Sequence, residues 1–487
     1  MGNLIAYDAG YRPAGSRGRT GTTAPAISVV PGGASSAPSA HSVPGVVPAP
    51  SAPGADTGRV YMCIDLKSFY ASVECVARGW DPFEKRLVVA DLSRGSGTIC
   101  LAVSPAMKAA GVRNRCRVYE IPQGMEYEAA PPRMHLYMEV SAQIYGIYLR
   151  YISPDDIHVY SIDECFIDAT PYLALYGKTP RELAVMLMDA VRRETGICAT
   201  AGIGTNLFLA KVALDVTAKH APDCIGYLDE EGFKSRIWPH RPITDIWNVG
   251  PGIARRLEKY GVRDLLGVAF TPEDVLYREF GVNAEFLIDH AWGREPCTIA
   301  QIKRYEPAGR SLCNGQVLFS DYAYEDAHTV VKEMVDGLVL DLVEKRLVTN
   351  HISLSVGYSW SSEAVLLDGV GYGGGSRKIP LRTNSYKVLS GYFEALYAET
   401  VLRDRPIRRI NLAAAGLVDE DFATVDLFTD AEALDRERRL QCAILAVKGK
   451  YGKNALLKGM NFAEKATARE RNVLIGGHRS GVGDRTA

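Results

Sequence analysis

Three carboxylates stand where their spacing permits chemistry. Asp65 closes the apolar run VYMCID (60–65), and Asp163 and Glu164 occupy the bend between IHVYSI (157–162) and CFIDAT (165–170). For one Asp at a strand end, a turn or capping role is explanation enough. Three acids converging at strand ends repel one another unless a cation neutralises them. Hard oxygen ligands suit Mg²⁺, which also takes substrate phosphates and waters. Two such ions a few ångströms apart can activate an attacking hydroxyl and stabilise a leaving pyrophosphate. The set of Asp65, Asp163 and Glu164, with apolar runs on both sides, therefore points to a metal site rather than to three unrelated turn residues.

The elements that would position these acids are legible around them. VYMCID, RLVVAD (86–91) and TICLAV (98–103) are short apolar runs that predict buried strands. LKSFYASVECVARG (66–79) has apolar residues at 66, 69, 70, 73 and 76, a helical period. SPAMKAAG (104–111) predicts a short helix with Ser104 as N-cap, Pro105 in the first turn and Gly111 beyond its end. Further helices are expected over 133–151, 180–195 and 206–219, with a strand over 198–203. Mixed strands and helices of this kind make an α+β domain. From 240 to 300 the pattern is short helices broken by glycines. From 311 to 417 the order strand–helix–strand–strand–helix–strand predicts a ferredoxin-like βαββαβ unit, with the Gly-rich GVGYGGGS (369–376) at a hairpin tip.

Composition narrows the class. The chain has 487 residues, 47% hydrophobic and 23% charged, with 56 Lys+Arg against 57 Asp+Glu and a net charge of −1. That length predicts about three or four domains. The balance excludes a histone-like basic protein, but not nucleic-acid binding, which depends on patches. The ten cysteines form no C-x-x-C pair, so zinc and thioredoxin-like centres are not indicated, and free thiols in a reducing cytosol are expected. No run approaches the ~20 apolar residues of a membrane span, and the N-terminus lacks the pattern of a signal peptide. Ala, Gly, Pro and Ser supply 36 of the first 58 residues, and such a leader is expected to be disordered.

IDLKSFYASVE (64–74) and SIDECFID (161–168) resemble the two metal-binding motifs of the Y-family translesion DNA polymerases, the bacterial UmuC-type branch above all. GIGTNLFLAKVALDVTAKH (202–220) resembles the third motif of that family's palm, and the three occur in family order. The resemblance implies a multidomain right-hand polymerase fold of the α+β class. Residues 1–58 would be the leader, 59–238 palm and fingers, 239–300 a helix-hairpin-helix thumb, 301–417 the βαββαβ little finger, and 418–487 a clamp-binding peptide with a basic tail. It also implies that Asp65 and Asp163 bridge two Mg²⁺ ions, that Glu164 holds the ion beside a primer 3′-hydroxyl, and that the Leu66 carbonyl completes the second site. Tyr70 falls at the steric gate that rejects a ribose 2′-OH; from its periodicity alone it would be helix core, as Phe69 is. Lys108 and Lys219 match positions that bind the incoming triphosphate. Many relatives place a Tyr three residues before the phosphate-binding cation, where this chain has Pro105.

Outside the motifs, WNVGPGIARRLEKYGV (247–262) reads as a helix-hairpin-helix. Gly250 and Gly252 would expose backbone N–H groups to a DNA phosphate at a helix start. Arg377, Lys378, Arg382 and Lys387 have no acid between 369 and 393, and Arg403, Arg405, Arg408 and Arg409 form a second basic cluster. Basic strand edges suit a duplex backbone, although charges also protect an ordinary solvated edge. TVDLF (424–428) resembles the QLxLF peptide that docks on a sliding clamp, with Leu427 and Phe428 as anchors, Thr424 replacing the usual Gln and Val425 the Leu. The reaction implied is addition of deoxynucleoside triphosphates to a primer on template DNA, by a cytoplasmic enzyme with no membrane partner. Two rivals belong to other classes: a non-catalytic DNA-binding repair scaffold, and a palm-fold nucleotide cyclase.

Overall fold

Tyr61–Leu66 is the middle strand of a five-stranded sheet. Glu164–Asp168 and Ala199–Gly204 flank it, both antiparallel. Ile157–Val159 and Ile225–Leu228 form the two edges. The strands are apolar on both faces because both faces are covered. Met62, Ile64, Cys165 and Ile167 pack under the helices Phe69–Val76, Met134–Tyr148 and Pro180–Thr195. Tyr61, Cys63 and Phe166 face the helix Leu207–Val212 and Ile299 on the other side. Each such side chain, fully buried, contributes about 1.5–3 kcal/mol.

The computed structural model describes residues 58–307, 309–360, 369–427 and 430–481. The leader expected over 1–58 lies outside these, Gly58 excepted. From Val60 onward the chain is one compact unit. Beside the central sheet lies a small one, in which Leu87–Val89 pairs antiparallel with Ala102–Val103 and parallel with Glu128–Ala130. The short helix Pro105–Ala109 starts as expected: Ser104 Oγ accepts from the Met107 N–H at 3.3 Å.

Between 251 and 291 come four short helices, Pro251–Glu258, Leu265–Ala269, Glu273–Phe280 and Ala284–Ala291. The helix Ile299–Arg304 crosses the boundary expected at 300/301, because Ile299 and Ile302 pack on the central sheet. The βαββαβ unit is present. Its strand order is Tyr372–Thr383, Leu347–Tyr358, Ile407–Ala415, Ser311–Tyr322, all antiparallel, with helices Tyr324–Glu344 and Tyr386–Thr400 against it.

One expectation is corrected. Gly373, Gly374 and Gly375 are not a hairpin tip; they lie inside the strand Tyr372–Thr383, opposite Val356, Ser355 and Leu354. The reason is close packing: a Cβ on Gly373 would stand 2.3 Å from the Tyr358 hydroxyl, and Gly374 has φ +107°. Among the described residues no helix is long and apolar enough to cross a membrane.

Candidate active site

The register of the central sheet places Asp65 opposite Glu164 on one side and Thr200 on the other. The Leu66 N–H donates to the Asp163 carbonyl at 3.0 Å, which ties the end of the first strand to the bend before the second. Asp65, Leu66, Asp163 and Glu164 are thus gathered at one end of the sheet. Ser161 shapes the bend. Its Oγ donates to Asp163 Oδ1 at 2.7 Å and accepts from the Glu164 N–H at 3.1 Å.

The three carboxylates share this edge without closing on a common point. Among the described residues no group of three or more His, Cys, Asp or Glu is arranged to hold a metal ion. Glu164 is turned instead onto Lys211, an ion pair with Lys211 only 6% exposed. Charge is nonetheless in excess here. Burial, then Glu164 and Asp163, raise the Asp65 carboxyl from its ordinary 3.8 to about 7. An all-oxygen donor set with more negative charge than it can hold fits a hard divalent cation.

Lys211 was not singled out from the sequence. Its ammonium also lies 3.3 Å from Asp215, and Asp215 in turn lies 2.9 Å from Lys219. Burial works against the Lys211 charge, but the neighbouring Cys63, Glu164 and Asp215 overcome it and hold its pKa above the ordinary lysine value. Lys211, Asp215 and Lys219 recur every four residues in the third motif, and that spacing was the available signal. The helix carrying them lies directly on the sheet, because a Cβ on Gly202 would stand 2.2 Å from the Ala210 carbonyl oxygen. At Ala213–Thr217 the helix widens into a π turn, a departure that concentrates at functional sites.

Lysines act on this edge as well. Lys108 is exposed at its surface, yet desolvation of its ammonium lowers its pKa; Asp65 opposes that shift, while Lys219 and Lys67 reinforce it. Lys108 and Lys219, the two triphosphate candidates, thus each interact electrostatically with Asp65. Lys219 is half exposed and tethered by Asp215.

Tyr70 sits in the first turn of the helix Phe69–Val76, after Ser68 in the left-handed conformation at φ +49°. Phe69 is buried core and Tyr70 only partly so. The Tyr70 ring stacks on Tyr137 at 4.5 Å between centroids and 16° between planes. Tyr137 donates its hydroxyl to Glu74 Oε1 at 2.6 Å, and Arg133 Nη2 donates to Glu74 Oε2, also at 2.6 Å. Glu74 is fully buried, so these donors satisfy an otherwise costly charge. Sequence reasoning missed Tyr137, Glu74 and Arg133, whose pairing spans 59 and 63 residues.

The remaining candidates are dispersed. Gly250 precedes and Gly252 lies in the first turn of Pro251–Glu258; both are exposed, and a Cβ on either would meet nothing within 4 Å. Lys378 is exposed, but Arg377 is paired with Glu399 of the covering helix. The Arg382 backbone N–H donates to Thr424 Oγ1 at 2.7 Å, which docks the start of the TVDLF segment on a strand end. Leu427 is 100% exposed. Phe428 lies outside the described residues.

The impB/mucB/samB family matches residues 64–215, and its C-terminal domain matches 310–427. The chain is 30% identical over 424 residues to DNA polymerase IV 2 of Halalkalibacterium halodurans, covering 86% of this chain and 99% of that one. It is 29% identical over 432 residues to the protein UvrX of Bacillus subtilis, covering 86% and 97%. A solved structure, the Y-family DNA polymerase chimera Dbh-Dpo4(243-245)-Dbh, shares the fold at TM-score 0.55 and 21% identity. It covers 74% of this chain and 99% of the chimera.

Proposed function

The chain belongs to the Y-family DNA polymerases, the impB/mucB/samB family, and from that premise we infer how its residues perform the reaction. It is a DNA-directed DNA polymerase of the translesion type, acting in DNA repair. The observation that carries the reading is the meeting of Asp65, Asp163 and Glu164 at one sheet edge, within the electrostatic reach of Lys108 and Lys219.

We assign Asp65, Asp163, Glu164 and the Leu66 carbonyl to two Mg²⁺ ions. Bound there, these ions supply the positive charge that lowers the pKa of a primer 3′-hydroxyl and stabilises departing pyrophosphate. The chain's own residues do the rest. Lys108 and Lys219 bind the triphosphate and offset charge as it spreads over the phosphoryl oxygens. Asp215 fixes Lys219 on the helix that also carries Lys211, and Lys211 holds Glu164 in place through their ion pair. Tyr70, backed by Tyr137, crowds the sugar and excludes the 2′-OH.

In this reading 59–238 is palm and fingers, 239–300 the thumb, 301–417 the little finger, and 418–487 the clamp peptide and tail. Gly250 and Gly252 offer backbone N–H groups to the DNA phosphates. Lys378 and Arg382 grip the duplex backbone, with Arg377 held back by Glu399. The exposed Leu427, with Phe428, docks on a sliding clamp, and the protein works in the cytoplasm.

The test is extension of a primer on a DNA template with Mg²⁺ and the four deoxynucleotides. Template-matched addition is expected. A scaffold would extend nothing, and a cyclase would consume triphosphate without a template; either result defeats the assignment.

A further inference from the structure

The segment 430–481 crosses from the C-terminal sheet to the small sheet beside the active site, and both ends are built in. On the C-terminal sheet its helix Ala431–Tyr451 brings Glu437 onto the N-terminus of the helix Tyr386–Thr400, where it accepts from Ser385 Oγ at 2.8 Å and from the backbone N–H groups of Tyr386 and Lys387. Lys458 pairs with Asp336 at 2.6 Å. Glu333, 6% exposed, accepts from Asn461 Nδ2, the Thr467 N–H and the Ala468 N–H at 2.8–3.2 Å. A buried carboxylate satisfied by donors of a distant segment loses those bonds if the segment leaves, and leaving it unpaired is costly.

The other end is a hairpin. Leu474–Ile475 pairs with His478–Arg479 through Gly476 and Gly477, both at positive φ, the requirement of a tight two-residue turn. Arg479 donates to Asp91 Oδ2 and to Ser93 Oγ, each at 3.0 Å. Arg94 donates to the Gly477 carbonyl at 2.9 Å. The Ser480 carbonyl accepts the His135 N–H at 2.9 Å, in the first turn of the helix Met134–Tyr148, where such donors lack intrahelical partners. Ile475 packs on the main core. Gly481 at φ +78° lies so close to Arg133 that a Cβ there would stand 2.8 Å from the Arg133 Cβ. Arg133 is the residue that, with Tyr137, holds Glu74 behind Tyr70.

We propose that residues 430–481 are an intramolecular clasp that fastens the C-terminal sheet to the small sheet through Arg479–Asp91 and caps the helix that backs Tyr70. The clasp fixes how far the C-terminal sheet stands from the nucleotide side of the site, and it stiffens the wall against which the sugar is measured. The contact with the small sheet does not rest on the polymerase reading; only the sugar-selection consequence does.

The test uses the full chain with Arg479→Asp, with Asp91→Arg, and with both. Amide hydrogen exchange is followed at His135 and over 91–94, with the buried strand Tyr61–Leu66 as the measure of intact folding. Each single change is expected to speed exchange at His135 about tenfold or more while Tyr61–Leu66 stays protected. The double change is expected to restore protection. Equal exchange at His135 in wild type and both single variants would overturn the clasp, as would a double variant no better than the singles. In parallel, the single variants are expected to admit ribonucleotides more readily. Unaltered sugar selection with faster His135 exchange would confine the clasp to joining the two sheets and overturn its part in backing Tyr70.

Discussion

At the scale of the residue, the site is a balance of charge. Asp65 is raised to about 7, so the folded protein without metal binds its proton more tightly than the unfolded chain does, whose carboxyl keeps the ordinary 3.8. Its contribution to stability is then full below about pH 4 and is lost as pH rises through about 7. In chelator, the Tm of wild type is expected to fall relative to Asp65→Asn between those values, and Mg²⁺ at pH 8 to raise the wild-type Tm but not that of the variant. Parallel Tm curves for the two proteins would show that Asp65 is not strained by its neighbours. Tyr70 is a matter of shape. Truncation by Tyr70→Ala opens the space above Tyr137 and is expected to cut discrimination against ribonucleotides on the order of tenfold or more. Competition between deoxy- and ribonucleotide at one template base measures it, and unchanged selectivity removes Tyr70 from the gate. The three carboxylates could be picked out because each stands at the end of a short apolar run, whereas Tyr70 was singled out only by the family resemblance, since its own periodicity reads as helix core. Tyr137, Glu74 and Arg133 were not, since their contacts are made by folding and leave no local spacing.

At the scale of the element, the helix following Ala199–Gly204 does most to place the chemistry. It carries Lys211, Asp215 and Lys219 on one side, and it approaches the sheet closely enough that Gly202 has no room for a Cβ. Gly202→Ala is expected to cost roughly 1–3 kcal/mol by forcing the helix outward. It should show as a lowered Tm together with slower primer extension, since Lys211 moves with the helix. Lys211→Met separates charge from packing. It keeps most of the volume but leaves Glu164 beside Asp65 without its cation, a loss on the order of 3–5 kcal/mol for a buried pair. Thermal unfolding in chelator measures that loss, and a Met variant as stable as wild type would refute the role given to Lys211. Element types followed the hydrophobic periods closely: Pro180–Thr195 begins and ends where the pattern does. The π turn at Ala213–Thr217 and the glycines inside Tyr372–Thr383 escaped that reading, because tight tertiary packing overrides local preference.

At the scale of the whole molecule, the chain joins a carboxylate-bearing sheet, a small sheet with cationic residues, a run of short helices and a βαββαβ unit, ordered as the family orders them. The near-zero net charge of −1 conceals a segregation on which such an enzyme depends: acids at one sheet edge, lysines within electrostatic reach of them, and basic residues such as Lys378 exposed on the C-terminal unit. The order of the parts could be read from the sequence, because motif order and element order were both visible. The path of the C-terminal tail could not, because Arg479 and Asp91 are 388 residues apart. The central claim is that Asp163, with Asp65 and Glu164, carries phosphoryl transfer. Single-turnover primer extension with Mg²⁺, comparing wild type with Asp163→Ala at matched folding, tests it most directly. The rate is expected to fall by about 10²–10³-fold or more, with primer–template still bound; equal extension by the two proteins would place the active site elsewhere.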